Sequence, residues 1–500
     1  MELLTNLGLG LQVALTLDNI LYCFVGVALG TLIGVLPGIG PVATISMLLP
    51  ITFKLEPTSS LIMLAGIYYG AQYGGSTTAI LVNLPGEASS VVTCLDGYAM
   101  ARKGKAGHAL AIAAIGSFIA GCVATLVLAA FAPPLSEVAL KFGAPEYFSL
   151  MVLGLVAAVV LAQGSLVKAL AMIVFGILLG LVGMDTTTGD QRYTFGLPEL
   201  SDGIGFVVVA MGLFGFGPII ANLETAGGRD IFTKTIGKLW PPREELRRAW
   251  GAIARGTGVG SLLGILPGGG AVLGSFAAYM LEKRIAKDPS RFGKGAIEGV
   301  AAPESANNAA AQTSFIPMLT LGLPTNPVMA LMVGAMIIQG IQPGPMVISK
   351  QPELFWGIVV SMWLGNLFLV ILNLPLIGVW VRLLSVSYRF LYPAILIFCC
   401  IGIYSLQSSV MDVYIAAGFG LLGYVFIKLR CEPAPLLIAF VLGPMMEDNF
   451  RRALTIAKGN PAVFVSRPIS ASILAIAVVL LLIAIAPSVR RRREEVFKET

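Results

Sequence analysis

A stretch of fifteen residues near the start of the chain returns near its middle, and each copy ends in the same helix-breaking turn. Residues 26–40 read GVALGTLIGVLPGIG and residues 256–270 read GTGVGSLLGILPGGG. Eight positions agree: the glycines at 26/256, 30/260, 34/264, 38/268 and 40/270, with Leu32/Leu262, Leu36/Leu266 and Pro37/Pro267. Glycine at every fourth position leaves one bare stripe along a helix, and the Pro-Gly-x-Gly ending then interrupts that helix. The chain therefore reads as a duplication in which each half carries a broken helix. In a membrane protein, paired broken helices point to a transport site.

The membrane assignment follows from composition. Of 500 residues, 56% are hydrophobic and only 12% charged, where a soluble domain carries about a quarter charged. Mean hydropathy is +0.86. Ile469 to Ala486 runs without a charge, and Ala109 to Pro133 and Gly203 to Ile220 are similar. At ~20 residues per span the chain has room for roughly 10–12 transmembrane helices. The apolar runs are continuous rather than alternating, so the expected fold is an all-α polytopic membrane protein and not a β-barrel. Glu2 and Asp18 precede any basic residue, so the N-terminus lacks the positive region of a secretory signal. The six cysteines show no metal-type spacing and read as small core residues. The net charge of +6 comes from basic loops, and no nucleic-acid partner is expected.

Those loops orient the chain. Arg490 to Arg493 follow the last apolar run directly, which predicts a cytoplasmic C-terminus. The basic stretches 229–255 and 283–294 fall on the same side, and Arg102, Lys103 and Lys105, and Arg451, Arg452 and Lys458, form smaller basic loops. Residues 229–255 read as a cytoplasmic linker between a first repeat, 1–228, and a second, 256–500. The second glycine motif is basic on both flanks, with Arg255 before it and Lys283 and Arg284 after it, whereas the first has only Lys54 beside Glu56. The motifs therefore enter from opposite sides, as two inverted-topology repeats with re-entrant or broken hairpins at 20–56 and 256–282. Two arms of ~11 residues at ~1.5 Å rise reach about 16 Å, near the midplane of the bilayer.

A polar, small-residue segment follows each motif, at 68–87 and 303–327, and such segments are tolerated at membrane depth only when buried in protein or lining a cavity. A helix that stops at midplane leaves N–H groups free and a positive dipole end, which suits a carboxylate. Broken carbonyl ends and hard side-chain oxygens suit a sodium ion. The candidate substrate-binding residues are Pro37, Gly38, Gly40, Gly75, Ser76, Thr77, Thr78 and Asn83 in the first half, and Pro267, Gly268, Gly270, Asn307, Asn308, Pro324 and Thr325 in the second. Candidate coupling-ion residues are Gly38, Ser76, Gly268, Glu304 and Asn307. Glu304 also suits a proton carrier, Asp96 is a second ionisable residue near apolar sequence, and His108 reads as a surface residue of a basic loop. The chain has no HExxH, P-loop or Gly-x-Ser-x-Gly motif, so no enzyme is expected. No cofactor is expected beyond a possible sodium ion.

The glycine motif at 26–40, YGGSTTAILVNLPGE at 73–87, PESANNAA at 303–310 and the segment from Pro435 to Leu454 together resemble the large membrane subunit of tripartite tricarboxylate transporters, the TctA family. The resemblance implies a bacterial inner-membrane secondary transporter that works with a small four-span membrane subunit and a periplasmic solute-binding protein. It implies import of tricarboxylates or related organic carboxylates on a sodium or proton gradient. It also implies an elevator-type arrangement with substrate between the two hairpin tips. Thr325 stands where the first copy has Gly86, so the tips differ. The competing readings are a membrane scaffold, or a passive channel, that uses its glycines only for helix packing.

Overall fold

The computed structural model describes residues 2–36, 39–162, 165–185, 188–224, 237–266, 270–383 and 388–486. Pro37, Gly38, Pro267 and Gly268 lie outside the described residues, as do Arg490 to Arg493 and the start of the linker. The first half comprises α1 (Glu2–Ala14), α2 (Leu17–Gly34), α3 (Pro41–Thr52), α4 (Pro57–Val82), α5 (Val91–Arg102), α6 (Ala106–Ala139), α7 (Ala144–Leu161), α8 (Leu166–Gly180) and α9 (Phe206–Glu224). The second comprises α10 (Arg243–Gly264), α11 (Gly270–Ile285), α12 (Glu298–Thr313), α13 (Phe315–Leu321), α14 (Pro327–Ile338), α15 (Met346–Lys350), α16 (Pro352–Asn373), α17 (Ile377–Leu383), α18 (Tyr388–Gln407), α19 (Val410–Lys428), α20 (Ala434–Ile456), α21 (Val463–Ser466) and α22 (Pro468–Ile485). The β-structure among these residues is one two-residue ladder, Gly183 opposite Arg192 and Met184 opposite Gln191.

The protein is an all-α polytopic membrane protein. Six described helices are each long and apolar enough to cross a bilayer alone: α2, α6, α9, α16, α19 and α22. Other apolar helices are shorter, because the chain breaks at glycine and proline. α9 is interrupted by a π turn at Met211–Phe216, and α20 carries Pro444 in its interior.

The glycine stripes explain how the first helices of each half pack. A Cβ placed on Gly26, Gly30 or Gly34 would lie 2.3, 2.3 and 2.5 Å from the carbonyl oxygens of Met63, Ile67 and Ala71 on α4. A Cβ on Gly256, Gly260 or Gly264 would lie 2.4, 2.2 and 2.5 Å from those of Ala302, Ala306 and Ala310 on α12. Only glycine allows backbones this close, and the approach gains Cα–H···O contacts and dispersion in place of a hydrophobic drive. Each contact in one half has its mate in the other. The register set by these contacts pairs Ala71 with Ala310, and it carries on to Asn83 and Gly322. Those two residues end their helices in the same left-handed conformation, at φ 60° and 69°.

The two copies are inverted relative to each other. Gln72 meets Asn307 and, one turn on, Ser76 meets Glu304, so numbers rise on α4 as they fall on α12. Equivalent helices that cross antiparallel belong to repeats of opposite topology. The repeats also interlock, since α6 packs on α12 while α16 packs on α4, and α8 packs on α20 while α19 packs on α9.

Three basic segments gather on one face. Lys103 Nζ donates to the Lys294 carbonyl at 2.6 Å, and Lys105 and His108 meet Glu245 at 2.6 and 3.2 Å. Burial works to raise the Glu245 carboxyl, but these two neighbours hold it below the usual carboxylate range. His108 is thus tucked into a contact, with a side chain only 14% exposed, rather than free on the surface.

From this linker face α6 runs the full depth, so Gly143 and Glu146 beyond its end lie on the opposite face. Lys168 ties to the carbonyl of Leu429, which places the start of α20 on the linker face and Arg451 on the other. The segment with Arg451 and Arg452, read from sequence as one more basic loop, therefore sits away from the other basic loops. Its charge is offset locally: Arg451 pairs with Asp185 at 3.1 Å and Glu447 at 2.7 Å, and Arg452 pairs with Asp448 at 2.7 Å.

On that opposite face Arg467 donates to Glu146, whose side chain is 1% exposed, at 2.6 Å, and so joins α22 to α7. Arg467→Ala strands a buried carboxylate and is expected to destabilise the protein by about 3 kcal/mol, the low end of the usual range because Arg467 is half-exposed. Thermal unfolding in detergent checks this. The double variant Glu146→Gln/Arg467→Ala should recover part of the loss, and an unchanged melting temperature in Arg467→Ala would refute the assignment.

Candidate functional site

Where α4 and α12 cross, small residues clear the space and polar ones fill it. Glu304 on α12 is buried, and its two carboxylate oxygens accept from Ser76 Oγ at 2.6 Å and Thr93 Oγ1 at 2.5 Å. Asn307, one turn along, accepts from Gln72 Nε2 at 3.3 Å and donates to Glu87 at 2.8 Å. Asn308 donates to Ser117 on α6 at 2.7 Å. Four elements thus meet through side chains from both halves. Gln72 Oε1 is buried with no hydrogen-bond partner among the described residues, so the cluster keeps an unused acceptor. Beside it lies a small cavity whose lining includes Tyr73, Ser76, Thr77, Ser117, Glu304 and Asn373.

The sequence-based candidates divide by position. Ser76, Thr77, Asn307 and Glu304 belong to this cluster or its cavity, and Asn308 supports it through Ser117. Thr78 instead donates to the Val35 carbonyl at 2.8 Å and so closes the broken end of α2. Asn83 is the exposed left-handed cap of α4. Gly40, Gly75 and Gly86 stack. A Cβ on Gly86 would lie 2.3 Å from Gly75 Cα, and one on Gly40 would lie 2.9 Å from the Gly86 carbonyl oxygen. The Leu84-Pro85-Gly86 turn therefore rests directly on the α4 backbone, and the end of the first tip rests on that turn.

The second half carries side chains where the first has bare glycine. Ser314 and Thr325 stand where the register puts Gly75 and Gly86, Pro324 is buried beside them, and the Thr325 hydroxyl is buried without a partner. Gly270 opens α11 against Gly264, to which a Cβ would come within 2.7 Å of Cα. Arg255 and Glu282 close the other end of this helix pair, at 2.5 and 2.9 Å.

Asp96 has a different task. It is fully buried and accepts from the backbone N–H groups of Gly293, Gly295 and Ala296 and from Tyr279 Oη, at 2.7–3.0 Å. It ties α5 to the loop that feeds α12, which makes it an organiser of the loop rather than a ligand-binding group. Glu87, Gln72, Thr93 and Ser117 were not singled out as candidates from sequence. Glu87 and Gln72 stand inside the quoted polar segment, but nothing in spacing alone shows that they turn toward α12.

Comparison with known proteins supplies the family. The tripartite tricarboxylate transporter TctA family matches residues 20–438. The chain belongs to this family. It is 62% identical over 499 residues, covering 100% of this chain and 99% of the relative, to an uncharacterized 52.8 kDa protein in the TAR-I ttuC' 3' region of Agrobacterium vitis. It is also 62% identical over 240 residues, 48% of this chain and 99% of the relative, to an uncharacterized protein in the TAR-II ttuC' 3' region of the same organism. No solved structure matches the chain. As a TctA-family protein the chain is a membrane subunit of a tripartite tricarboxylate transporter, and that family is one of transporters rather than enzymes.

Proposed function

We propose that this subunit imports a tricarboxylate or related organic carboxylate across the bacterial inner membrane, using a sodium or proton gradient and substrate handed over by a periplasmic solute-binding protein. A small four-span membrane subunit completes the assembly, and the basic linker face and the C-terminus are cytoplasmic. Substrate binds beside the crossing of α4 and α12, on the side where Gly40 rests on the Gly86 turn. Ser76, Thr77, Asn307 and the N–H groups of the glycine turns orient it, and Thr325 and Pro324 shape the second side. The cation, sodium or a proton, is held by Ser76, Glu304 and Asn307.

The observation that carries this reading is the buried polar crossing itself. It joins equivalent helices of opposite topology, keeps a free acceptor in Gln72, and adjoins a cavity. A site shared by two inverted repeats is one that their rocking or sliding can expose to either side in turn. The test is uptake of labelled citrate and other di- and tricarboxylates by proteoliposomes that contain the two membrane subunits. Uptake is expected to be saturable and to require the binding protein on the outside. Full uptake by this chain alone would overturn the tripartite reading.

A further inference from the structure

We propose that Glu304 is the acceptor of the coupling proton, and that its neutralisation is what admits the anionic substrate; this rests on the transport reading above. Glu304 is 1% exposed, and both of its oxygens are held by hydroxyl groups rather than by cations. Among the described residues, the charged and titratable groups on the surrounding elements leave it without a counter-ion. α4 presents Tyr73, α5 presents Cys94, and the turn before α5 presents Glu87. Asp96 is committed to backbone N–H groups and Tyr279, and Arg255 and Glu282 are committed to each other. α6 contributes the neutral Ser117.

An isolated carboxylate at this depth is strongly disfavoured. A carboxylate substrate approaching the adjoining cavity would meet Glu304, which lines it, as a like charge. Loss of the Glu304 charge must therefore accompany binding.

The hydroxyl pair suits a proton. Ser76 and Thr93 donate to the carboxylate as drawn. Once one oxygen is protonated, its O–H can donate to a hydroxyl that has rotated to accept, with no movement of heavy atoms. The step is simple: one Glu304 oxygen takes a proton from hydronium on the outer side, the hydronium O–H breaking to leave water, and the Glu304 O–H gives its proton to water on the cytoplasmic side after substrate release. Sodium would need several more oxygens around the same carboxylate than these two hydroxyls supply.

The experiment uses the complete transporter in proteoliposomes, with the tightest-binding member of a di- and tricarboxylate panel as probe. Wild type should accumulate the probe when a pH gradient is imposed without sodium. Glu304→Gln cannot take up the proton, so it should lose accumulation driven by the pH gradient, while Glu304→Asp, which still can, should restore part of it. A second reading needs no variant: adding the probe to weakly buffered wild type should take protons up from solution. Retained pH-driven accumulation in a folded Glu304→Gln protein, no proton uptake when the probe is added to wild type, or wild-type accumulation that follows sodium alone would each overturn the proposal. If wild type shows no accumulation under any gradient, the transport reading itself fails, a result distinct from those three.

Discussion

Gly260→Ala is expected to lower the melting temperature in detergent and to reduce uptake severely, while the neighbouring Gly258→Ala leaves both unchanged. The contrast comes from geometry on one helix. A methyl group on Gly260 would lie 2.2 Å from the Ala306 carbonyl oxygen, whereas one on Gly258 meets nothing within 4 Å. The oxygen belongs to the α12 backbone and cannot swing aside, so α10 has to back away from α12. Overpacking of this kind costs about 1–3 kcal/mol for a methyl group, and valine would cost more. Gly30→Ala on α2 should behave alike, because its methyl group would lie 2.3 Å from the Ile67 carbonyl oxygen. Equal behaviour of Gly258→Ala and Gly260→Ala would show that close backbone approach is not what the stripe provides.

The second large effect is expected at Asn307. Its amide accepts from Gln72 and donates to Glu87, so one side chain spans the join between the halves. Asn307→Ala removes both bonds and leaves the half-buried Glu87 carboxylate short of a donor. A hydrogen bond to a charged group is worth about 1.5–3 kcal/mol, so uptake is expected to fall by roughly 10- to 100-fold. The fall should appear in purified protein that still elutes as a folded species. Asn308→Ala breaks only the support to Ser117 and should be milder. Uptake equal to wild type in Asn307→Ala would remove the crossing from the transport path.

Much of this architecture was legible in the residues. A stripe of glycines at four-residue spacing has one physical use in a helix, close approach of a neighbour, and it repeats with its Pro-Gly-x-Gly end. The charge on the flanks of the second copy, and its absence from the first, anticipated opposite topology, and the antiparallel contact of Ser76 with Glu304 and Gln72 with Asn307 supplies it in three dimensions. Polarity marked Ser76, Thr77, Asn307 and Glu304, since small polar residues inside apolar sequence need a reason to be there.

What the residues did not give was register and role. The loop between α11 and α12 is longer than that between α3 and α4, so the glycine motifs and the polar segments are offset differently, and no count from one predicts the other. Thr78 and Asp96 look like site residues in a string of letters. They prove to serve backbone groups, because only the fold brings the Val35 carbonyl and the 293–296 amides to them. Arg451 and Arg452 read as a basic loop because their acidic partners lie partly elsewhere in the chain, Asp185 among them.

The central claim, that a chain of this design is a secondary transporter with one site shared by two inverted halves, is tested most directly by accumulation against a gradient. Proteoliposomes holding both membrane subunits, with the binding protein outside, should concentrate the carboxylate above its external level when an ion gradient is imposed. They should release it when an ionophore collapses that gradient. Uptake that merely equilibrates, and is indifferent to the ionophore, would contradict the account.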